Sequence, residues 1–509
     1  MQRRDLLLAF GGVSAMPVSS GRPLAEPFFK RTPRPNILVF FSDDHARWLQ
    51  QAYGNSEVRT PNMQRLAQRG VRMTNAFTTS PVCSPSRASF FTGRMPSQHG
   101  IHDWIEEKRQ AYAYPWLEGE ILLPELLKKA GYRTGLVGKW HCGAERIPHR
   151  GFDHWYSYWV SQYPHTGVQN FSDNGRHVQV EGCQAPFLTE QAIRFLRSEQ
   201  GLFRSDRKPF FLFVGYTDTH SPHSDMPPEL VESYAGASFI DIPKEQFSAI
   251  HGVAERPVDR NSGTEREKRM QYYAAATAID REVGRILDEL DHLGEADNTF
   301  IVYTSDHGLN AGHHGIWEKG NATRPQNFFE ESIRVPCTIS WPAGKILANR
   351  SDHSIFNHCD LFATLLDVAG AAPDAAAAAA INSPGRSHLA ALQDLTAPPA
   401  QKPVICEYGN ARMILCNQYK LILRYPYGGK VFPHEFYDLA LDPRETRNMF
   451  TRPQHTPHVL QMTQMMNRFF DRYSIPARSG LNLESQPLAT TESPWLLALK
   501  KSPQTQPPP

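Results

Sequence analysis

The stretch PNILVFFSDDH, residues 35–45, decides how this chain is built. Ile37 to Phe41 is an unbroken apolar run rich in branched and aromatic side chains, and it ends abruptly in Ser42, Asp43 and Asp44. A run without alternation suits a strand covered on both faces, as in a parallel or mixed sheet flanked by helices. Three other segments repeat the pattern. YRTGLVGKWH, from Tyr132, delivers Lys139 and His141. KPFFLFVGYTDTHSPH, from Lys208, delivers Asp218, His220 and His223, and NTFIVYTSDHG, from Asn298, delivers Ser305, Asp306 and His307. In such sheets ligands bind beyond the carboxyl ends of the strands. The four polar clusters are therefore expected to converge on one site.

Helical patterns lie between the strands. PNMQRLAQRG and LPELLKKAGY each stop at a glycine, Gly70 and Gly131, where a helix C-cap belongs. A longer apolar stripe predicts a core helix over 268–293. Alternation of this kind through Gly370 indicates an α/β domain. The alanine-rich segment 370–385 reads as a surface loop. After Pro403, PVICEYG, ARMILCNQYKLILRY and KVFPHEFYDL are short strand-like runs separated by turns, which predicts a small antiparallel sheet. The boundaries that follow are an export signal over 1–25, a catalytic domain over 34–395, a C-terminal α+β subdomain over 400–480, and a mobile Pro/Ser/Thr/Gln-rich tail over 487–509.

At 509 residues the chain is long enough for one large and one smaller unit. Its net charge of +2 offers no basic field for nucleic acid, so any anionic ligand must be held by a local cluster. Seven cysteines form no CxxC pair or zinc spacing, and their odd number leaves at least one outside any disulfide. Arg3 and Arg4 precede a short apolar run, Leu6 to Val13, and then small residues. That layout is an export signal, of twin-arginine or of ordinary secretory type, cleaved after Ala25 or Ala15, and the run is too short to span a bilayer. A periplasmic or secreted protein without stable membrane insertion is expected.

Asp43 and Asp44, in a turn just past a strand, can both reach one cation. With Asp306 and His307 they form an oxygen-rich set with one nitrogen, suited to a hard divalent ion, calcium or magnesium ahead of zinc. Without a cation, carboxylates so placed would repel one another. Arg87, Lys139, Lys319, His141 and His220 add positive or protonatable groups to the same edge. A cation with fixed positive side chains is a site for a tetrahedral oxyanion. Cys83, in TTSPVCSPSRASFFTG (78–93), is expected at the head of a helix capped by Ser84 with Pro85 in its first turn. The helix end, Arg87 and a cation would favour its thiolate, yet a soft thiolate is a poor partner for a hard ion.

The segment CSPSRASFFTGR resembles the signature of the formylglycine-dependent sulfatases, a branch of the alkaline-phosphatase-like superfamily. GKWHCG, DTHSPH, YTSDHG, HHGIWEKG and EFYDLALDPRETRN extend the resemblance over roughly 34–450 in the family's order. The resemblance implies a large, mainly parallel mixed sheet flanked by helices, with a smaller C-terminal antiparallel sheet. It implies that Cys83 becomes formylglycine, and that Asp43, Asp44, Asp306, His307 and the modified residue 83 hold the metal. Arg87 would orient the aldehyde hydrate, Lys139 and Lys319 would hold sulfate oxygens, His141 would stand beside the hydrate, and His220 would protonate the leaving alcohol. Many members carry asparagine where this chain has His307. His223 and His314 are weaker candidates for substrate contact, as are Arg424, Tyr425, Tyr427 and Lys430. The expected partners are a sulfated small molecule or saccharide, a formylglycine-generating or radical maturase, and the export machinery. The alternatives are a phosphonate monoester or phosphodiester hydrolase of the same architecture, and a silent binding protein with the same fold.

Overall fold

Every residue of β1 (Asn36–Ser42) is buried, as its unbroken apolar run requires. In the computed structural model the described residues are 34–500, apart from 108–109, 160–163, 198–207, 245, 249–250, 260–262 and 395. The export-signal reading falls outside them. The main sheet adds β2 (Val71–Phe77), β3 (Arg133–Gly138), β4 (His154–Tyr158), β5 (Val168–Asp173), β6 (Arg176–Glu181) and β7 (Phe210–Gly215). It is completed by β8 (Thr299–Ser305), β9 (Cys337–Ser340) and β10 (Arg350–Asn357). Their order is β10-β2-β9-β8-β1-β7-β3-β4-β5-β6. The four strands anticipated from sequence are the central neighbours β8, β1, β7 and β3, all parallel. β9 and β5 run antiparallel to both of their neighbours and make the sheet mixed. Ser42 lies beside Ser305, and Gly138 beside Gly215. Residues 43, 306 and 139 therefore leave the sheet along one edge.

Side chains alternate between two cores. Ile37, Val39, Phe41, Phe211 and Phe213 pack with Phe90 and Phe91 of α2 (Cys83–Thr92), which follows α1 (Pro61–Gln68). α3 (Leu123–Lys129) lies on that face too, through Leu123, Leu126 and Leu127. Leu38, Phe40, Leu212 and Val214 pack the opposite face against α4 (Gln184–Arg197) and α5 (Thr264–His292). α5 begins at Thr264, four residues ahead of the apolar stripe, with Glu265 and Glu267 in its first turn. Acidic side chains there face the positive end of the helix dipole. α6 (His358–Val368) follows β10 and packs on α2's side of the sheet.

Two expectations are corrected. The alanine-rich segment contains α7 (Ala375–Ile381), whose N-cap Asp374 accepts the Ala377 N–H at 2.9 Å. Alanine has the highest helix propensity, and one cap suffices for two turns. The tail is ordered as far as Lys500, because Trp495 is buried against Tyr408 at 5.6 Å between ring centres. Residues 501–509 lie outside the described set.

The late strands are β11 (Val404–Tyr408), β12 (Ala411–Cys416), β13 (Tyr419–Arg424) and β14 (Glu435–Asp438), an antiparallel sheet in sequential order. One face buries Met462, Met466 and Phe470 of α8 (Thr456–Arg472). The other shares a core with Phe77 and Val82, immediately before Cys83. From Arg34 on, the chain is a single compact unit. All seven cysteines are free thiols. No helix among the described residues is long and apolar enough to cross a membrane.

Phe213 joins the sheet to α2 through Phe41, Phe90 and Phe91, with ring centres 5.0–5.5 Å away. Phe213→Ala is expected to cost about 3–5 kcal/mol, read as a lower urea midpoint.

Candidate active site

Asp43 and Asp44 leave β1 in a sharp turn, Asp44 having a left-handed φ of 57°. Long-range bonds hold this turn. The Asp43 N–H donates to the Tyr216 carbonyl at 2.9 Å, and Thr219 Oγ1 donates to the Asp43 carbonyl at 2.6 Å. Tyr272, on α5, donates its hydroxyl to the Asp44 carbonyl at 2.6 Å and accepts the Ala46 N–H at 3.0 Å. Both carboxylates consequently face Asp306, which accepts the Asp44 N–H at 3.2 Å and the His307 N–H at 2.9 Å. All three acids are fully buried.

The cations meet them directly. Lys139 Nζ pairs with Asp43, and Lys319 Nζ lies 2.6 and 2.8 Å from the two oxygens of Asp44. Arg87 donates to Asp306 at 3.0 Å and to the Lys139 carbonyl at 2.9 Å. Burial would raise the pKa of Asp43, but Lys139, His220, Arg87 and Lys319 together hold it well below the ordinary carboxylate range. Asp44 goes the other way, since burial and the neighbouring acids outweigh Lys319. Asp306 is pushed up to about 7 by burial and by Asp43. Three buried acids thus face three buried cations, and burial still holds Asp44 and Asp306 above the ordinary carboxylate range.

Residue 83 sits inside this ring of charge. Cys83 is the first residue of α2, and its Sγ lies 3.4 Å from Asp43 Oδ1, 3.3 Å from His307 Nε2 and 3.5 Å from Lys319 Nζ. The expected thiolate is corrected: burial first, then Asp43, push this thiol well above its ordinary pKa. Dehydration outweighs the helix end and the lysines. Ser84 does not cap the helix; the N-cap is Val82, and Ser84 Oγ accepts the Ile105 N–H at 3.0 Å.

The histidines differ in role. His307 Nδ1 bonds the Gly308 carbonyl at 2.9 Å, so it carries the proton and leaves the Nε2 lone pair toward Asp44, 3.2 Å away. His141 Nε2 bonds the Ile105 carbonyl at 3.1 Å, and its buried Nδ1 has no hydrogen-bond partner among the described residues. Its left-handed backbone is held by Glu145, which accepts the N–H groups of Trp140 and His141 at 2.8 and 2.7 Å. His220 Nε2 lies 3.3 Å from Lys319 Nζ and 3.8 Å from Asp44. Burial and the adjacent lysines depress the pKa values of His141 and His220 well below the usual range. His223 is packed between Tyr272 and Trp317. His314 stacks on Phe329 and bonds Glu331. Neither lines the cleft above Cys83. That cleft, of about 420 Å³, is lined by Cys83, His141, His220 and Lys319, with Trp104 and Asn321 at its wall. Arg424 is buried, bonded to the Pro433 and Gln326 carbonyls and to Glu435, so it is a structural cation. Tyr425, Tyr427 and Lys430 do not line the cleft either.

Donor atoms of Asp43, Asp44, Cys83 and His220, and those of Asp43, Cys83, Asp306 and His307, lie within 4.8 Å of one another. The oxygen-rich set of donors and the inward lone pair of His307 fit a divalent cation. Glu145, Tyr272 and Thr219, which set the loop turns, carry no local sequence signal. Each acts through a backbone contact formed only in the fold.

A parallel sheet edge presenting acids, lysines and a helix-head cysteine defines a hydrolase of the alkaline-phosphatase-like class. The sulfatase family profile matches residues 35–371, and that of the N-sulphoglucosamine sulphohydrolase C-terminal region matches 312–471. An N-acetylglucosamine-6-O-sulfatase of Bacteroides thetaiotaomicron is 27% identical over 88% of each chain. A human N-acetylgalactosamine-6-sulfatase is 31% identical over 67% of this chain and 63% of its own. A solved complex with the substrate D-glucosamine-2-N,6-O-disulfate superposes with TM-score 0.70 at 24% identity, covering 86% of this chain and 98% of the other. A phosphonate monoester hydrolase of Agrobacterium radiobacter shares the fold at TM-score 0.70 and 20% identity, over 86% and 96% of the two chains. The chain belongs to the sulfatase family, and it is a sulfuric ester hydrolase.

Because Asp306 must lose a proton to bind a cation, divalent-ion affinity is expected to weaken as pH falls through about 7. Calorimetric titration of the chelated protein with calcium at pH 6 and pH 8 checks the direction, with proton release larger at pH 6.

Proposed function

We propose that this sulfatase removes a 6-O-sulfate from an N-acetylhexosamine, using formylglycine at position 83 and a divalent ion, calcium before magnesium. The observation that carries the reaction centre is the position of Cys83, within 3.5 Å of Asp43, His307 and Lys319 at one sheet edge. The printed activities of the two similar sulfatases support the sugar and its position. Asp43, Asp44, Asp306, His307 and residue 83 would hold the ion, and an oxygen-dominated set suits a hard cation. When bound, the ion neutralises sulfate charge, and formylglycine supplies paired hydroxyls, one to accept the sulfuryl group and one to release it.

This chain's own residues then have distinct tasks. Lys139 and Lys319, already at the carboxylates, offer N–H donors to the sulfate oxygens where charge builds up. Arg87, locked on Asp306, keeps a positive charge beside residue 83. His141 Nδ1 is a buried lone pair that can take a proton from a hydroxyl at that position. His220 is neutral beside Lys319; an incoming anion raises its proton affinity, so that Nε2 can deliver a proton to the leaving oxygen. Residues 34–395 supply this centre, and 400–480 brace it. Modification by a formylglycine-generating or radical maturase, and export directed by the first 25 residues to the periplasm or beyond, complete the reading.

The Cys83 peptide of active protein should be about 18 mass units lighter than its sequence, the change from thiol to aldehyde. An unaltered thiol in active enzyme refutes the mechanism. Cys83→Ala should abolish turnover of every sulfate ester. His220→Ala is expected to lower kcat at least tenfold more on a sugar 6-sulfate than on an aryl sulfate, whose phenolate leaves without a proton. A panel of saccharide sulfates, read by released sulfate beside an aryl phosphonate, tests the substrate. Faster turnover of the phosphonate would favour the phosphonate hydrolase reading.

A further inference from the structure

A second cleft, of about 670 Å³, shares no lining residue with the one above Cys83. Arg47 reaches it from the turn that carries Asp44, three residues on. Successive Cα atoms are 3.8 Å apart, so the two Cα atoms lie within about 11 Å of each other. One wall of the cleft is therefore borne by the same turn that carries Asp44. Its cations are Arg47, Arg334 and Arg444, and its acids are Asp241, Glu330 and Glu331.

Two of these acids are engaged elsewhere, while Asp241 keeps one carboxylate oxygen without a hydrogen-bond partner among the described residues. Glu330 is held by Arg334 and by Lys420. Glu331 accepts from His314 at 2.8 Å. Among the described residues Arg47 has no hydrogen bond or ion pair; its contact is the face of Tyr53, 5.6 Å from the ring centre. Burial and then Arg334 lower its pKa from the ordinary arginine value, against the opposite pull of Glu330 and Glu331, and the side chain is half-buried. A guanidinium is a rigid fork that matches the oxygens of a sulfate or carboxylate. Next to it Trp48 presents a half-buried indole, backed by His313 at 4.8 Å and anchored by Nε1–H to the Leu309 carbonyl at 3.1 Å. A fixed aromatic plate beside an unpaired cation matches a ring that is apolar on one face and anionic at its edge.

We infer that this cleft binds a sulfate- or carboxylate-bearing sugar residue of the substrate chain other than the one being desulfated. The inference rests on the saccharide reading above. It makes the enzyme a reader of extended anionic saccharides, with Arg47 as the residue that favours a longer chain.

Binding is measured on Cys83→Ala protein, which cannot turn the ligand over, with a chondroitin 6-sulfate hexasaccharide and with inorganic sulfate as probes. Adding Arg47→Ala should weaken hexasaccharide binding at least fivefold, while Arg47→Lys should retain most of it. In otherwise unchanged enzyme, Arg47→Ala should leave aryl-sulfate kcat/KM within twofold, which also reports correct folding. Undiminished hexasaccharide binding in Arg47→Ala, or an equal loss of aryl-sulfate turnover, overturns the inference. Inorganic sulfate binding as tightly as the hexasaccharide, and equally dependent on Arg47, overturns it in favour of a free-oxyanion site. If intact enzyme desulfates no saccharide, the substrate reading fails, and the binding arm still decides whether Arg47 holds the sugar.

Discussion

Three carboxylates buried at one sheet edge are the constraint on which the rest of this molecule depends. Asp43, Asp44 and Asp306 have no exposure to water, and Asp306 bonds the backbone of Asp44. Taking such charges out of water costs several kcal/mol each unless opposite charge is supplied. Lys139, Lys319 and Arg87 supply it, one to each acid, from three different parts of the chain, each fully or almost fully buried. An oxygen-rich donor set gathered this closely is what suits the centre to a hard cation. Under the proposed function the same lysines would also receive an anionic ester, so neutralising the carboxylates and holding the substrate would draw on one charge balance.

The sheet makes that balance possible by register. Because β1 and β8 end together, and β3 and β7 end together, four chain segments separated by up to a few hundred residues emerge within reach of one another. α2 then brings Cys83 over them, seated by Phe90 and Phe91 on the sheet face. The smaller sheet closes the remaining side: Cys406 Sγ donates to the Thr78 carbonyl at 3.0 Å, and the Glu407 N–H to the Thr79 carbonyl at 2.9 Å.

Much of this was legible in the residues. Unbroken apolar runs ending in acids or bases announce central strands and their functional ends, and the four runs are the four central parallel strands. The late strand-like runs announce the second sheet. What was not legible depends on dehydration or on distant partners. Cys83 has cationic neighbours that would favour a thiolate, yet burial prevails, and burial is a property of the whole fold. Glu145 and Tyr272 look ordinary in sequence, and they matter because they hold left-handed turns, Glu145 within its own loop and Tyr272 far away in the chain. The alanine segment lacks an amphipathic stripe, so its helix rests on propensity and one aspartate cap. Trp495 orders a stretch whose composition reads as loose, because a single large ring finds a seat against Tyr408.

Cys83 is only 2% exposed, and the residues just before it are pinned by a sheet assembled from the last quarter of the chain. Another protein cannot reach a side chain that deep without reopening the core. Chemistry performed on it by an external catalyst therefore has to be finished while the polypeptide is still open, and synthesis of residues 404–438 starts the clock that ends that opportunity.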